Sequence, residues 1–313
     1  MFILGIDGGG TKTEAVLLNE KAHVLGYWKG GPCNVATLSE DSIAIVIRSL
    51  LNNLIGEVDI AVFGLAGAGR RRHVEKAAKA ISRVLKAKDL VIVSDAEIAL
   101  FSSTLFKPGI LIIAGTGSAA FALDSAGKIY RCGGLGYLLD DEGSGYWIGL
   151  KVLQTVAKIL DEREKPSPIL ERTLSFLKVR CLDELVDLAY SELSVAKIAS
   201  LAEIALELFE EDPYCHKIIE EACKELALLA KCVANKAGIH LSSIYCQGGL
   251  FNSDIFMKLT ESMLTEVFRK KMKLKKPRFK PVVGALLLAW KKLGLDLDFL
   301  LSSLKKYSFL LNR

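Results

Sequence analysis

Residues 5–13 read GIDGGGTKT. Three consecutive glycines, Gly8, Gly9 and Gly10, let backbone N–H groups approach an anion closely. Thr11 and Thr13 add hydroxyl donors, and Lys12 adds a positive charge. The G-x-x-x-x-G-K-[ST] spacing of a P-loop is absent, and a strand rather than a helix follows, which excludes a dinucleotide fingerprint. A glycine-rich hairpin alone accounts for the glycines but not for Asp7 beside them. A carboxylate next to a phosphate-binding turn calls for a cation between the two charges, and a Mg²⁺ held largely through water meets that need.

Three more segments carry chemistry. Gly115-Thr116-Gly117-Ser118 repeats the small, hydroxyl-rich turn. Asp95, in VSDAEIAL, ends an apolar strand, and two readings stay open for it. It is either a general base that takes a proton from an attacking hydroxyl, or the N-cap of the helix that follows from Ile98 to Phe106. Gly133 to Gly149 reads GGLGYLLDDEGSGYWIG. Its Asp140, Asp141 and Glu142 can accept paired hydroxyl hydrogen bonds, as groups that hold neutral sugars do. The alternative is an acidic surface loop, and the nearby Tyr146 and Trp147 favour a partly buried one.

These segments need elements to position them. Phe2–Ile6, Thr13–Leu18 and Val24–Trp28 read as strands joined by turns. Ser39 caps a helix ending near Leu54. Val58–Phe63 and Leu90–Val93 are short strands with a helix between them, from Arg70 to Lys86, and another helix follows Asp95. The pattern then restarts: a strand Ile110–Ala114, a strand Ala119–Leu123 and a third from Ile129. The two starts align without a gap at a shift of 105 residues (Gly10 onto Gly115), which predicts a duplicated α/β architecture. Beyond Gly149 the chain reads as helices, with a polar connection from Asp161 to Pro168. A last short strand, Ile244–Cys246, enters Gln247-Gly248-Gly249. A helix spans Val282–Leu293, and a short one follows Asp296. Ligands of open α/β sheets bind beyond the carboxyl ends of strands, where all of these turns fall.

The 313 residues are half apolar (51%) and a quarter charged (25%), as in a globular protein of about two domains. The longest uncharged stretch, Gly109–Leu123, is too short and too glycine-rich for a membrane span. The N-terminus lacks the basic region and longer apolar core of a secretory signal. The expectation is a soluble, cytoplasmic protein without a membrane partner. The net charge of +5 is concentrated in Arg269–Lys280 (RKKMKLKKPRFK). No aromatic platform or recognition motif accompanies that run, so a solvated helix end and loop is expected rather than a nucleic-acid surface. Seven cysteines without paired spacing predict free, buried thiols rather than a disulfide framework or a zinc site.

In this order the turns resemble the actin-like ATPase superfamily of sugar kinases, actin and heat-shock chaperones. Specifically they resemble the BadF/BadG/BcrA/BcrD-type ATPase family, and within it N-acetylglucosamine kinases and archaeal broad-specificity hexokinases. GIDGGGTKT is similar to that family's first phosphate motif. SDAEIALF with AGTGS is similar to its catalytic aspartate and second phosphate motif, the 133–149 loop to its sugar signature, and QGGLFNSD (Gln247–Asp254) to its adenosine motif. The resemblance implies two actin-like (ribonuclease H-like) domains with an interdomain cleft, residues 1–114 with 292–313 and residues 115–291 with a helical insertion. It also implies an ATP- and Mg²⁺-dependent kinase acting on a small-molecule sugar, as a monomer or homodimer.

Carried onto this sequence, the resemblance makes Asp95 the general base and Asp7 the organiser of Mg²⁺. It sets Gly9, Gly10, Thr11, Lys12 and Thr116 on the phosphates, and Gly248, Gly249, Asn252 and Ser253 at the adenosine. Asn34, Ser118, Gly134, Leu135, Gly136 and Asp141, with Asp95, line the sugar pocket. Position 135 is a leucine where N-acetylglucosamine kinases carry a tryptophan, so glucose, mannose, glucosamine and N-acetylglucosamine all stay open. A competing member of the same family is the ATPase activator of a radical dehydratase, which bridges an iron–sulfur cluster through cysteines. Cys132, before Gly133-Gly134, is the residue to check for it. A sugar-sensing repressor would need a helix-turn-helix module ahead of the first phosphate strand, and a chaperone a separate substrate domain. Neither is expected.

Overall fold

The computed structural model describes residues 1–54 and 56–312. The chain divides into two compact units, Met1–Lys107 with Pro277–Arg313, and Pro108–Lys276.

The first unit runs β1 (Phe2–Gly8), β2 (Thr13–Asn19), β3 (Val24–Gly30), α1 (Glu40–Leu50), β4 (Val58–Leu65), α2 (Arg71–Ser82), β5 (Ala87–Ser94) and α3 (Asp95–Thr104). The second runs β6 (Gly109–Ala114), β7 (Ser118–Leu123), β8 (Ile129–Gly133), α4 (Gly145–Leu160), α5 (Pro168–Leu177), α6 (Leu182–Ser191), α7 (Val195–Ser200), α8 (Ala202–Glu207), α9 (Pro213–Ala237), β9 (Ser243–Gln247), α10 (Asp254–Phe268) and β10 (Lys273–Lys275). The chain then returns to the first unit with α11 (Pro281–Lys292) and α12 (Leu297–Leu304).

The first sheet has the order β3-β2-β1-β4-β5. Its β1–β2 and β2–β3 pairs are antiparallel, and its β1–β4 and β4–β5 pairs parallel. Alternation sorts the strands onto two cores. Leu4, Ile6, Ala15 and Leu17 face α1 and α2, while Ile3, Val16 and Leu18 face α11 and α12. On that second face the backbones come very close. A Cβ on Gly284 of α11 would collide with the Ile98 carbonyl of α3, and one on Gly5 would meet the Leu286 side chain at 2.8 Å. Here glycine is a packing requirement, and it seats α3 and α11 firmly on β1.

The second sheet has the order β10-β9-β6-β7-β8, again antiparallel from β6 to β8 and parallel through β9 and β10. Its core joins Ile110, Ile112, Ala120 and Ala122 to Ile148, Val152, Leu226 and Ala230 on α4 and α9.

The fold departs from the sequence expectations in its unit boundaries, in the basic run and at two cysteines. The division falls at 107/108 and 276/277 rather than at 114 and 291, because β6 pairs with β7 and β9 while α11 packs on β1 and α3. The basic run contains a strand, β10, paired in parallel with β9 through the buried Leu274 between two exposed lysines. Cys132 and Cys232 form a disulfide across 100 residues, linking β8 to α9, so they are not free thiols. Such a distant pairing leaves no spacing signal. Of the free cysteines, Cys33, Cys215, Cys223 and Cys246 are buried as expected, and Cys181 is exposed. Among the described residues no helix is long and apolar enough to cross a membrane.

Candidate active site

In the first unit the chemistry gathers at the carboxyl ends of β1 and β5. The β1–β2 turn closes through Gly9 N–H donating to Lys12 C=O at 2.9 Å. Gly9 C=O in turn accepts from Cys33 N–H at 3.0 Å. A Cβ on Gly10 would meet nothing within 4 Å, and its φ is not in the left-handed region. The protein itself therefore gives no reason for glycine there, whereas close approach of a ligand does. Thr11 and Lys12 are exposed beside it. Thr13 is fully buried, with its hydroxyl donating to Gly31 C=O at 2.7 Å. Its hydroxyl is spent on bracing the hairpin, on the strand face opposite Asp7 and Glu14, so it is not free to donate to a phosphate.

Asp7 pairs across the strands with Glu14, so their side chains share the face that carries α3 and α11. The Asp7 carboxyl is pushed up to about 7, by burial first, then by the charges of Asp95 and Glu14, with Lys12 opposing. Excess buried negative charge of this kind fits a divalent cation. Among the described residues no three His, Cys, Asp or Glu side chains converge on a metal position.

Asp95 is the first residue of α3. The helix is capped by Ser94 and Glu97 in a reciprocal capping box, with Glu97 N–H donating to Ser94 Oγ at 3.2 Å and Ser94 N–H to Glu97 Oε2 at 2.8 Å. The cap reading of Asp95 is thereby corrected. The S-x-x-E spacing of Ser94 and Glu97 was visible in the sequence, and it frees Asp95 for other work. One Asp95 oxygen, Oδ1, accepts from Ala96 N–H at 2.9 Å. Burial raises its pKa above the ordinary range, against the pull of that N–H. Asn34 follows β3 and bridges to Ala66; its Oδ1 accepts from Ala36 N–H at 3.0 Å.

In the second unit, the Gly115–Ser118 turn is bound tightly to the 133–149 loop. Gly145 N–H and Tyr146 N–H, at the start of α4, donate to Gly115 C=O (2.8 Å) and Thr116 C=O (3.1 Å). Ser118 N–H donates to Asp141 Oδ1 at 3.0 Å, and Ser118 Oγ–H to Glu142 C=O at 2.7 Å. The Asp141 carboxylate lies so close to Gly117 that a Cβ there would sit 2.9 Å from Oδ1. Asp141 is buried at a φ of +72°, and burial raises its pKa, with the Ser118 N–H opposing. Gly134 and Gly136 also have positive φ, Leu135 N–H donates to Asp140 Oδ2 at 3.0 Å, and Leu135, Leu138 and Leu139 are exposed. The loop is thus buried at Asp141 and open at its apolar tip. Ser118 is largely spent on internal bonds.

Gly248 sits at a φ of +114°, with its Cα against the Ala114 carbonyl. Gly249 opens a short 3-10 turn ending at the exposed Asn252, and Ser253 Oγ caps α10 by accepting from Phe256 N–H at 3.3 Å. Cys132 is held in its disulfide. The structure therefore brings together Asp7, Lys12 and Asp95 within one unit, and Thr116, Ser118 and Asp141 within the other. Sequence reasoning missed Glu14 and Lys280. Glu14 Oε1 lies 3.2 Å from Lys12 Nζ and 3.5 Å from Lys280 Nζ, and Lys280 is remote in sequence.

Residues 4–289 match the family model described as the BadF/BadG/BcrA/BcrD ATPase family. The chain is 29% identical over 290 residues to an N-acetylmuramic acid/N-acetylglucosamine kinase of Clostridium acetobutylicum, covering 89% of this chain and 92% of that one. It is 27% identical over 309 residues to an N-acetyl-D-glucosamine kinase of Dictyostelium discoideum, covering 91% and 97%. Among solved structures it resembles a putative N-acetylglucosamine kinase from Chromobacterium violaceum, with a TM-score of 0.76 and 23% identity over 92% of this chain and 98% of that one. At that identity the likeness bears on fold alone, and with the two matching sheets it establishes an α/β protein of two actin-like ATPase domains. The chain belongs to the BadF/BadG/BcrA/BcrD ATPase family.

Proposed function

We propose that the protein is a sugar kinase that transfers the γ-phosphoryl group of ATP to a hydroxyl, O6, of a hexose or N-acetylhexosamine. The observation that carries this reading is Asp95: a carboxylate released from capping, with its pKa raised by burial, in the same unit as a glycine turn left open for an anion. Asp95 takes the proton of the attacking sugar hydroxyl. Gly9, Gly10, Thr11, Lys12 and Thr116 orient the phosphates and meet their spreading charge. Asp7 holds Mg²⁺, which when bound neutralises the phosphate oxygens. Gly248, Gly249, Asn252 and Ser253 border the adenosine. Asn34, Gly134, Leu135, Gly136 and Asp141 line the sugar, and Ser118 holds Asp141 in place. The substrates named for the two kinase relatives put N-acetylglucosamine first among candidates, with glucosamine, glucose and mannose next.

The test is ADP release by the purified protein with Mg²⁺-ATP and a panel of these sugars, beside Asp95→Asn. Release that depends on sugar and vanishes in the variant is expected. ATP turnover indifferent to every sugar overturns the reading.

A further inference from the structure

The second unit's Asp212 and the first unit's Glu14 are both almost completely buried carboxylates, and they are satisfied in different ways. Asp212 accepts three backbone N–H groups, from Ile169, Tyr214 and Cys215, which explains it as a structural cap. Glu14 is instead met by two ammonium groups at the same oxygen, Lys12 at 3.2 Å and Lys280 at 3.5 Å. A buried carboxylate carries a desolvation cost that apolar residues would avoid, so a pair of this kind is weak evidence for stability and points to what it positions. Lys12 belongs to the phosphate turn. Lys280 comes from the far end of the basic run and sits at the N-cap of α11, where it makes no side-chain capping bond. Because Glu14 pairs with Asp7 across the strands, and α11 packs on that face, Glu14 draws the Lys280 ammonium to the Asp7 end of β1.

We propose that Lys280 is a second phosphate-binding ammonium of the ATP site, held toward the Gly9–Lys12 turn by Glu14. The proposal rests on the reading of that turn as a phosphate cradle. One carboxylate shared by two ammonium groups cannot neutralise both, so the donors of Lys280 that Glu14 does not use stay available to a phosphate oxygen. The side chain of Lys280 is only 23% exposed, against 64% for Lys12, so Lys280 is the less mobile of the two.

The test replaces Lys280 by serine, a preferred N-cap residue that favours α11, so that lost binding is not lost folding. Calorimetric titrations compare Mg²⁺-ATP with adenosine, which has no phosphate. Lys280→Ser is expected to weaken ATP about tenfold or more while leaving adenosine within about twofold, and Lys280→Arg to keep most of the ATP affinity. Equal ATP affinity in Lys280→Ser and the wild type overturns the proposal and leaves the kinase reading standing. Equal losses for ATP and adenosine overturn it too, because the effect would then not lie at the phosphates. A wild-type protein with no ATP affinity takes down both.

Discussion

The two units build the same hairpin and load it differently. In the first, Gly8 pairs with Thr13 across a four-residue turn, and the next pair is Asp7 with Glu14. In the second, Ala114 pairs with Ser118 across a three-residue turn, and the next pair is Ile113 with Ala119. The repeat is therefore not gapless. Strands β2 and β7 match at a shift of 105 residues (Thr13 onto Ser118), and β1 and β6 at 106 (Asp7 onto Ile113), because the second turn is one residue shorter. The fold needs only the strands and a tight turn. The charges Asp7, Lys12 and Glu14 belong to one copy, where the other carries apolar or small residues that pack at no desolvation cost. The second copy instead uses its turn as an anchor, and the 133–149 loop is bonded onto it through Asp141 and the start of α4. The two hairpins share one frame, and the buried charges sit only in the first.

A sharper version of the comparison sets two helix starts side by side. Ser94-Asp95 begins α3 and Ser253-Asp254 begins α10, each with serine as N-cap and aspartate first in the helix. Asp254 is exposed, whereas Asp95 is partly buried with a raised pKa. Asp95→Asn is expected to lower kcat by about 10³-fold, within the range for a lost general base, with ATP affinity retained. Asp254→Asn should change kcat less than about twofold. Comparable losses in both would break the assignment of Asp95. The acid limb of kcat/KM should also lie above the ordinary carboxylate range near pH 3.8.

The staple Cys132–Cys232 has no counterpart among the described residues of the first unit, whose one cysteine, Cys33, is free and buried. It closes a loop of 100 residues. Loop entropy alone gives about 4.7 kcal/mol for that length, and measured values run nearer 2–4 kcal/mol. Cys232→Ser should destabilise the oxidised protein by about that amount in denaturant unfolding, and should match the wild type once both are reduced. A variant equal to the wild type under oxidising conditions would remove the staple.

How much of this was legible depended on whether a signal was local. The apolar runs Phe2–Ile6 and Thr13–Leu18 marked the strands and the repeated turns announced two similar sheets, whereas the sorting of Leu4, Ile6, Ala15 and Leu17 against Ile3, Val16 and Leu18 onto two cores comes from the structure. The glycine turns and Asp95 stood out because their residue types sit where strands end. The Ser94–Glu97 capping box is equally local, and its S-x-x-E spacing makes Ser94, not Asp95, the cap of α3. By contrast Lys280 reaches Glu14, and Cys232 reaches Cys132, only through the packing of α11 on β1 and of α9 on β8. No spacing rule links residues so far apart. Strand β10 was hidden because its lysines point to solvent and only Leu274 is apolar.

Asp141 tests whether the second unit's anchor matters to function. Its Oδ1 accepts the Ser118 N–H, and a hydrogen bond to a charged group contributes about 1.5–3 kcal/mol. Asp141→Ala should therefore raise the sugar KM by roughly 10–100-fold while shifting the ATP KM far less. Asp141→Asn, which keeps an acceptor for that N–H, should fall between the two. If Asn and Ala behave alike, the charge toward the sugar matters and the anchor does not. If neither moves the sugar KM, the loop is structural.

The smallest effect separates the two hairpins by pH. The Asp7 carboxyl ionises near 3.8 in an unfolded chain but only near pH 7 when folded, because burial, Asp95 and Glu14 all oppose its charge. The folded state thus binds the extra proton between those values. The stability this proton supplies is whole below about pH 3.8, declines as pH rises, and is gone above about pH 7. Asparagine mimics the protonated acid at every pH. In metal-free buffer Asp7→Asn should then melt with the wild type near pH 4 and progressively above it toward pH 7, levelling at a gap of roughly 3 °C or more. Added Mg²⁺ should narrow that gap by stabilising only the wild type. The matching position in the second hairpin, Ile113, has no charge to lose, so the pH dependence belongs to the first copy alone. Melting curves that stay parallel from pH 4 to 8 would mean that the Asp7 charge is already neutralised by Lys12, and that the first hairpin needs no cation.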